Sequence, residues 1–287
     1  MHPDPRGITV EGDLRPPLPI NEPVLSYVAG SPERAELKAT LDMMASEVID
    51  IPVIVGGKDI LTGDTADVVM PHDHGHVLAR YHKAAPEHIQ AAIDTGHEAW
   101  HEWSNWPWQD RAAVLLRAAD LLAGPWRATL NASTMLGQSK TVYQAEFDAA
   151  CEIFDFGRVN VQYARELDAQ QPISSPGLWN YMDYRPLEGF IYAISPFNFT
   201  SIGGNLPTAP ALMGNVAIWK PARTSLYSSS FLMRLLQEAG LPDGVINFLP
   251  GNSAQISDLL IKSPHLAGIH FTGSTAVFQS LWKDVAA

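Results

Sequence analysis

Residues 189–225 read GFIYAISPFNFTSIGGNLPTAPALMGNVAIWKPARTS. The stretch opens on an apolar run, Gly189-Phe-Ile-Tyr-Ala-Ile-Ser195, rich in β-formers and short enough for one strand. A turn follows at Pro196-Phe197-Asn198-Phe199. Asn205 then offers a helix cap, with Pro207 and Pro210 early in the helix and Gly214 at its end. A second apolar run, Val216-Ala-Ile-Trp219, ends on Lys220-Pro221. Strand, helix and strand in this order make a right-handed parallel crossover. Asn198 and Lys220 each follow a strand, and in a doubly wound sheet both open onto one crevice.

The unit repeats downstream. Ser225 to Glu238 predicts an amphipathic helix, closed by Gly240 and Pro242. Val245–Leu249 predicts a strand ended by Pro250-Gly251, Ser253–Lys262 a helix, and Leu266–Phe271 a strand ended by Thr272-Gly273-Ser274. Thr275 opens a last helix. The alternation predicts an α/β fold, a Rossmann-like parallel sheet flanked by helices. Gly273-Ser274 ahead of a helix start offers backbone N–H groups to a phosphate. No G-x-G-x-x-G fingerprint is present.

Upstream, residues 1 to about 30 are Pro-rich and irregular, an expected arm. Ser31-Pro32-Glu33 opens a helix to about Ser46. Ile51–Val55, a Gly56-Gly57 turn, Lys58–Leu61 and Asp67–Met70 predict strands. Helices are expected over Pro86–Trp103, Gln109–Leu122, about Ala128–Leu136 and Lys140–Leu167. Gln170–Pro176 is a break, and Trp179-Asn-Tyr-Met-Asp-Tyr184 alternates like a half-exposed strand or hairpin arm.

The 287 residues suffice for one large domain or two ordinary ones. A chain 46% hydrophobic and 17% charged suits a globular enzyme rather than a disordered segment. A formal net charge of −12 argues against nucleic acid as a partner. No apolar run reaches membrane-spanning length, and Met1-His-Pro-Asp-Pro-Arg6 lacks the pattern of a secretory or transit leader. A single cysteine excludes an internal disulfide and fits a reducing compartment. The expected location is cytoplasmic, or the mitochondrial matrix in a eukaryote.

Three motifs invite other chemistry. His97-Glu98-Ala99-Trp100-His101 matches H-E-x-x-H, which places two imidazoles one helical turn apart, but no third ligand stands out on a following helix. His72-Asp73-His74-Gly75-His76 would align three imidazoles on one face of a strand, yet Pro71 and Gly75 predict a turn instead. Cys151 lies in a helical pattern with Asp148, Glu152 and Asp155 close in sequence, neighbours that raise a thiol's pKa; it reads as a small apolar core residue. No metal site is expected.

At Ser195-Pro-Phe-Asn-Phe-Thr200, Trp219-Lys-Pro221 and Phe271-Thr-Gly-Ser274 the chain resembles the aldehyde dehydrogenase superfamily. It is similar more narrowly to the 1-pyrroline-5-carboxylate (L-glutamate γ-semialdehyde) dehydrogenase branch. The features are SPFNFTSIGGN at 195–205, the arm Asn21-Glu-Pro-Val-Leu-Ser-Tyr27, the Val69-Met-Pro-His-Asp-His74 loop, and Phe278. The resemblance implies an NAD-dependent oxidoreductase of proline catabolism with a small aldehyde substrate. It implies 1–47 as an arm and helix, 48–287 as the NAD-binding domain, and about 172–186 as a bridging or oligomerisation arm of a homo-oligomer. By resemblance, Asn198 is the catalytic donor to the oxyanion. Ser195 and Lys220 contact the cofactor, and Gly273, Ser274, Thr275, Ala276 and Val277 meet its pyrophosphate. Phe199 borders the aldehyde pocket and Glu152 its entrance. Arg223 stands where the family carries an acidic or small polar residue near the ribose, a position from which an arginine accepts the 2′-phosphate of NADP.

The family's nucleophilic cysteine and water-activating glutamate both follow the FTGS turn. The expectation is therefore a chain that carries the cofactor half and one oxyanion donor, incomplete at its C-terminus and without the catalytic domain, and that oxidises no aldehyde alone. The alternatives are a non-catalytic nucleotide-binding or assembly module of the same fold, and a zinc hydrolase through His97 and His101.

Overall fold

The computed structural model describes residues 16–287. The earlier part of the expected arm and the opening Met1–Arg6 lie outside them. Helix α1 (Pro32–Ser46) is capped by the Ser31 side chain, which accepts from the Arg34 amide. Five strands follow: β1 (Ile49–Ile51), β2 (Val53–Val55), β3 (Lys58–Ile60), β4 (Thr65–Met70) and β5 (Asp73–His82). Then come α2 (Pro86–Trp103), α3 (Trp108–Ala123), α4 (Arg127–Gln138), α5 (Val142–Ala145), a π-helical turn (Glu146–Glu152) and α6 (Ile153–Asp168). The α/β part is β6 (Phe190–Ile194), α7 (Thr200–Leu212), β7 (Val216–Lys220), α8 (Leu226–Glu238), β8 (Ile246–Phe248), α9 (Ser253–Ile261), β9 (Leu266–Phe271) and α10 (Thr275–Ala286).

The main sheet has the order β3-β2-β8-β7-β6-β9. Strands β8, β7, β6 and β9 are mutually parallel, as the alternation predicts. The sheet as a whole is mixed, however: β2 joins β8 antiparallel and β3 joins β2 antiparallel. The Gly56-Gly57 hairpin makes this possible, because both residues hold positive φ (56° and 73°), as a tight hairpin turn requires. Ile51–Val55 is not one strand. Pro52 lacks the N–H that a continuous ladder needs, so the chain breaks there and changes sheets. β1 joins a separate three-stranded sheet, β1-β5-β4.

Both faces of the main sheet are covered, which is why β6 and β7 are apolar at every position. Phe190, Tyr192, Ile194, Val216 and Ile218 point into one core with Ile89, Ile256 and Leu260 of α2 and α9. The alternate residues Ala193, Ala217 and Trp219 point into the other, with Leu206 and Leu232 of α7 and α8. Trp219 meets Phe248 edge to face at 5.1 Å, a geometry worth about 1 kcal/mol beyond burial. Gly189 opens β6 at φ 100°, and a Cβ there would lie 2.0 Å from the His265 carbonyl oxygen, so only glycine lets β6 start alongside β9.

Four local expectations are corrected. Asn205 caps nothing: α7 begins at Thr200, and Asn205 sits inside it, receiving the Asn160 side-chain amide at 2.7 Å. Asp73–His76 belongs to β5, and the turn is confined to Pro71-His72. Trp179–Tyr184 forms no strand. It runs beside 171–174 as an irregular hairpin, held by Met182 N–H to Gln171 Oε1 (2.8 Å) and Asn180 Nδ2 to the Ile173 carbonyl (2.8 Å). A single bridge, Ser175 to Leu178, closes its tip. Lys140–Leu167 is helical from Val142, but Glu146–Glu152 is wound as a π-helix.

Candidate functional site

Parallel strands β7, β6 and β9 end level. Lys220 and Phe271 are the register partners of Ile194 on its two sides. The ladder closes with Ser195 N–H to the Lys220 carbonyl and Thr272 N–H to the Ile194 carbonyl, each at 3.3 Å. The segments that begin at Ser195, Pro221 and Thr272 thus leave the sheet on one rim. Chain order places β7 and β8 on one side of β6 and β9 on the other, so the rim between β6 and β9 is a topological switch point, where open α/β sheets bind ligands.

Lys220 is buried, 7% exposed, and has neither an ion pair nor a hydrogen bond from its ammonium among the described residues. Burial alone pulls its pKa from 10.5 down to about 8. Ser195 is also buried, and its Oγ accepts the Trp219 indole N–H at 3.0 Å. Asn198 is exposed and makes no hydrogen bond among the described residues. Phe199 is half-buried under the Lys140 ammonium, which stands 4.2 Å from its ring centre. Glu152 is half-buried and accepts the Ser201 hydroxyl at 2.6 Å.

On the far side of the switch point, Gly273 follows β9 and Ser274 caps α10, accepting the Val277 amide at 3.3 Å. Gly273, Ser274, Thr275, Ala276 and Val277 are all exposed. Arg223 lies exposed on a short 3₁₀ turn (Arg223–Ser225) after β7 and makes no ion pair among the described residues. The structure therefore gathers Ser195, Asn198, Phe199, Lys220, Arg223 and Gly273–Val277 at one end of the sheet. Glu152 reaches that end through Ser201 on α7.

Cys151 is buried, and its thiol is pushed up to about 12 by burial, with Glu146, Asp155 and Glu22 adding to the rise. Of the carboxylates that sequence proximity suggests, Asp155 does raise the thiol, but the foremost is Glu146, which the π-wound turn brings beside it from five residues earlier. His97 and His101 lie on the exposed face of α2 with rings edge to face at 4.8 Å, and His265 stands 5.5 Å from His97. No group of three His, Cys, Asp or Glu among the described residues is arranged to hold a metal ion. His72 and His76 diverge, one to Ser139 Oγ and one to the Ala45 carbonyl.

Sequence reasoning missed the supports of the site. Asp148 receives the Thr200 and Ser201 amides, and Lys140 pairs with Asp148 at 2.6 Å. Behind them, buried Glu146 binds Arg127, Tyr27 Oη, Asn131 Nδ2 and the Leu25 amide. The one available signal was Phe199 ahead of Thr200: a helix start whose preceding side chain cannot accept a hydrogen bond needs an acceptor from elsewhere.

Comparison with known proteins agrees with this geometry. Residues 61–287 match the aldehyde dehydrogenase family. The chain is 51% identical over 269 residues to Delta-1-pyrroline-5-carboxylate dehydrogenase of Agaricus bisporus, covering 93% of this chain and 49% of that protein. It is 49% identical over 266 residues to the human mitochondrial Delta-1-pyrroline-5-carboxylate dehydrogenase, covering 93% of this chain and 47% of that protein. The crystal structure of the Mycobacterium tuberculosis Delta-pyrroline-5-carboxylate dehydrogenase bound with NAD superposes with a TM-score of 0.94 at 52% identity, over 96% of this chain and 52% of that one. The chain spans about half the length of the curated relatives it matches. With the match running from residue 61 through the parallel strands and the switch-point rim, the chain belongs to the aldehyde dehydrogenase family.

Proposed function

We propose that this chain carries the NAD-binding half of an oxidoreductase that converts L-glutamate γ-semialdehyde to glutamate in proline catabolism. The observation that carries the reading is Lys220: a buried lysine with no carboxylate partner among the described residues, at the C-terminal end of β7 and beside the switch point. Such a cation is costly in the free protein unless a ligand with acceptor oxygens relieves it. The Mycobacterium tuberculosis relative was crystallised with NAD, which supports that ligand here.

The residues present fit the cofactor. Lys220 would meet the ribose, with Ser195 beside it, and the Gly273–Val277 turn offers exposed backbone N–H groups to the pyrophosphate. When bound, NAD supplies the hydride acceptor. Asn198, exposed and without a hydrogen bond of its own among the described residues, is free to donate its side-chain N–H to the aldehyde oxygen as charge develops there. Phe199 and Glu152 border the approach to that point. Cys151 does not supply the attacking thiolate: it is the chain's one cysteine, it is buried, and its thiol is held at about 12. Aldehyde oxidation by thiolate attack therefore needs a cysteine beyond these 287 residues.

Within the chain we assign 1–47 to an arm and helix, 48–287 to the NAD-binding domain, and 172–186 to self-assembly. Ile173 and Trp179 of that arm are 91% and 67% exposed. The compartment assigned is the cytoplasm, or the mitochondrial matrix in a eukaryote. Among the described residues, no helix is long and apolar enough to cross a membrane. The inert thiol also favours the second reading, a nucleotide-binding module without catalysis of its own.

Titration of the pure 287-residue chain with NAD tests the proposal. Binding is expected, and Lys220→Met should weaken it at least tenfold. No binding by the unsubstituted chain would remove the reading. Addition of glutamate semialdehyde and NAD should give no NADH, and sustained NADH formation would contradict the role assigned to Cys151. Arg223 further predicts that NADP is tolerated better than in relatives. A strong NAD preference, unchanged in Arg223→Ala, would reject that part alone.

A further inference from the structure

Phe199 occupies the N-cap position of α7, and its side chain makes no capping hydrogen bond. The first amides of the helix turn instead to a carboxylate 52 residues earlier in the chain: Thr200 N–H donates to Asp148 Oδ2 at 3.0 Å. Ser201 N–H donates to Asp148 Oδ1 at 2.8 Å. Asp148 is 1% exposed, and Lys140 Nζ donates to its Oδ2 at 2.6 Å. The same ammonium lies over the Phe199 ring. Glu152, from the same π-helical turn, holds the Ser201 hydroxyl. Thr200 Oγ1 is fixed in turn by Thr134, Gln138 and Ser228.

Asn198 has no hydrogen bond of its own among the described residues, so the backbone of the Pro196–Phe199 turn sets its aim. That turn has two anchors. On one side Ser195 is tied into the β6–β7 ladder. On the other side the anchor is Asp148. We propose that Asp148 is a positioning residue: by binding the Thr200 and Ser201 amides, and by holding Lys140 over Phe199, it fixes the direction in which Asn198 presents its N–H. The proposal rests on the reading of Asn198 as the oxyanion donor.

The choice of groups follows from the task. Oxyanion donors act by being aimed before the charge appears, so a loose turn forfeits most of their effect. A carboxylate gives the shortest and strongest hydrogen bonds to amides. Left alone, its charge would oppose the oxyanion nearby, and Lys140 neutralises it. A π-helical turn shifts the side chains that follow it relative to a regular helix, a device frequent at functional sites. Here it directs Glu146 toward the arm and Asp148 and Glu152 toward α7.

Asp148→Asn keeps the shape, removes the charge and turns an NH₂ group toward one of the amides. Hydrogen exchange at Thr200 and Ser201 in the 287-residue chain should then rise about 10- to 100-fold, the factor for losing a charge-assisted hydrogen bond. Amides of β7 and β8 should be unaffected. In the aldehyde-oxidising holoenzyme, Asp148→Asn should lower kcat with the cofactor KM unchanged. Asn198→Ala should lower kcat roughly 10²- to 10³-fold, and the double variant should be no slower than Asn198→Ala alone. Fully additive losses would make Asp148 a plain structural cap and overturn the proposal, as would unchanged exchange at Thr200 and Ser201. Should Asp148→Asn fail to fold, Lys140→Met at a partly exposed site is judged by the same cycle with Asn198→Ala. An unchanged kcat in Asn198→Ala would instead remove the oxyanion reading, and this proposal with it, even where exchange at Thr200 and Ser201 rises.

Discussion

At Lys220, binding and stability are opposed. The residue is buried without a partner among the described residues, and burial depresses its pKa from 10.5 to about 8. A lysine whose folded pKa is depressed binds fewer protons in the folded than in the unfolded state between those two values. Stability therefore rises as pH climbs from about 8 toward 10.5, and below that window the full penalty is present. Lys220→Met removes the charge and keeps most of the apolar stem. Urea unfolding at pH 7 without cofactor should show the variant more stable by up to roughly 3 kcal/mol, and the gap should shrink by pH 10. The same variant should bind NAD poorly. A variant that is less stable at pH 7, or a gap independent of pH, would mean that the ammonium is better solvated than its burial implies. Lysine after an apolar strand was visible in the sequence as a candidate, but its isolation was not, because only packing shows whether a carboxylate has come alongside.

Among the elements, the arm before α1 is the one held by charge. Arg127, 9% exposed, binds Glu22 at 2.7 Å, the Pro23 carbonyl at 2.7 Å and buried Glu146. Tyr27 Oη donates to Glu146 at 2.8 Å. Burial by itself would raise the Glu146 carboxyl, but Arg127, the Leu25 amide, Tyr27 and Asn131 together hold it below its ordinary value. Its contribution is thus present above about pH 4.5 and is lost as pH falls through the lowered folded value. Arg127→Ala leaves that carboxylate buried and unpaired and should cost about 3–5 kcal/mol, read by thermal or urea unfolding. Glu22→Ala should cost less and mainly free the arm, read as faster proteolysis between residues 18 and 30. Equal losses for both would show that the arm and the domain unfold as one unit. Strands and most helices were legible because each carries its own period: β6 and β7 as unbroken apolar runs, α3 and α8 as stripes. What was not legible has no local period. Asp148 and Glu146 look like ordinary solvated helix carboxylates in sequence, and the π-winding that buries them follows from distant partners. Trp179–Tyr184 alternates as a strand does, yet has no neighbouring strand among the described residues to pair with. His72–His76 misled in the opposite sense, because its glycine is absorbed into a bulged strand with shifted register.

For the whole molecule, the sheet ends on a strand that nothing among the described residues covers on its outer side. Among the described residues β9 pairs only with β6, and all six of its residues are half-buried, whereas β6, β7 and β8 are buried at every position. Beside it α10 exposes Val277 (48%), Phe278 (47%), Trp282 (66%) and Val285 (54%). Leu266, Ile269, Phe271, Phe278, Trp282 and Val285 line one apolar hollow of about 370 Å³. A contiguous apolar face next to an open strand edge is both a sticky surface and a template for further pairing. The net charge of −12 keeps copies apart at low salt, so association should strengthen as salt screens it. The pure chain should therefore bind a hydrophobic dye, and light scattering should show mass rising with concentration and with salt. Trp282→Lys should suppress both signals at little cost in melting temperature, because that side chain is 66% exposed. Trp282→Lys alone should leave NAD titration unaffected, since Trp282 lies about two turns into α10, beyond the Gly273–Val277 turn. Should Trp282→Lys associate as strongly as the parent, the exposed arm at Ile173 and Trp179 becomes the sticky element.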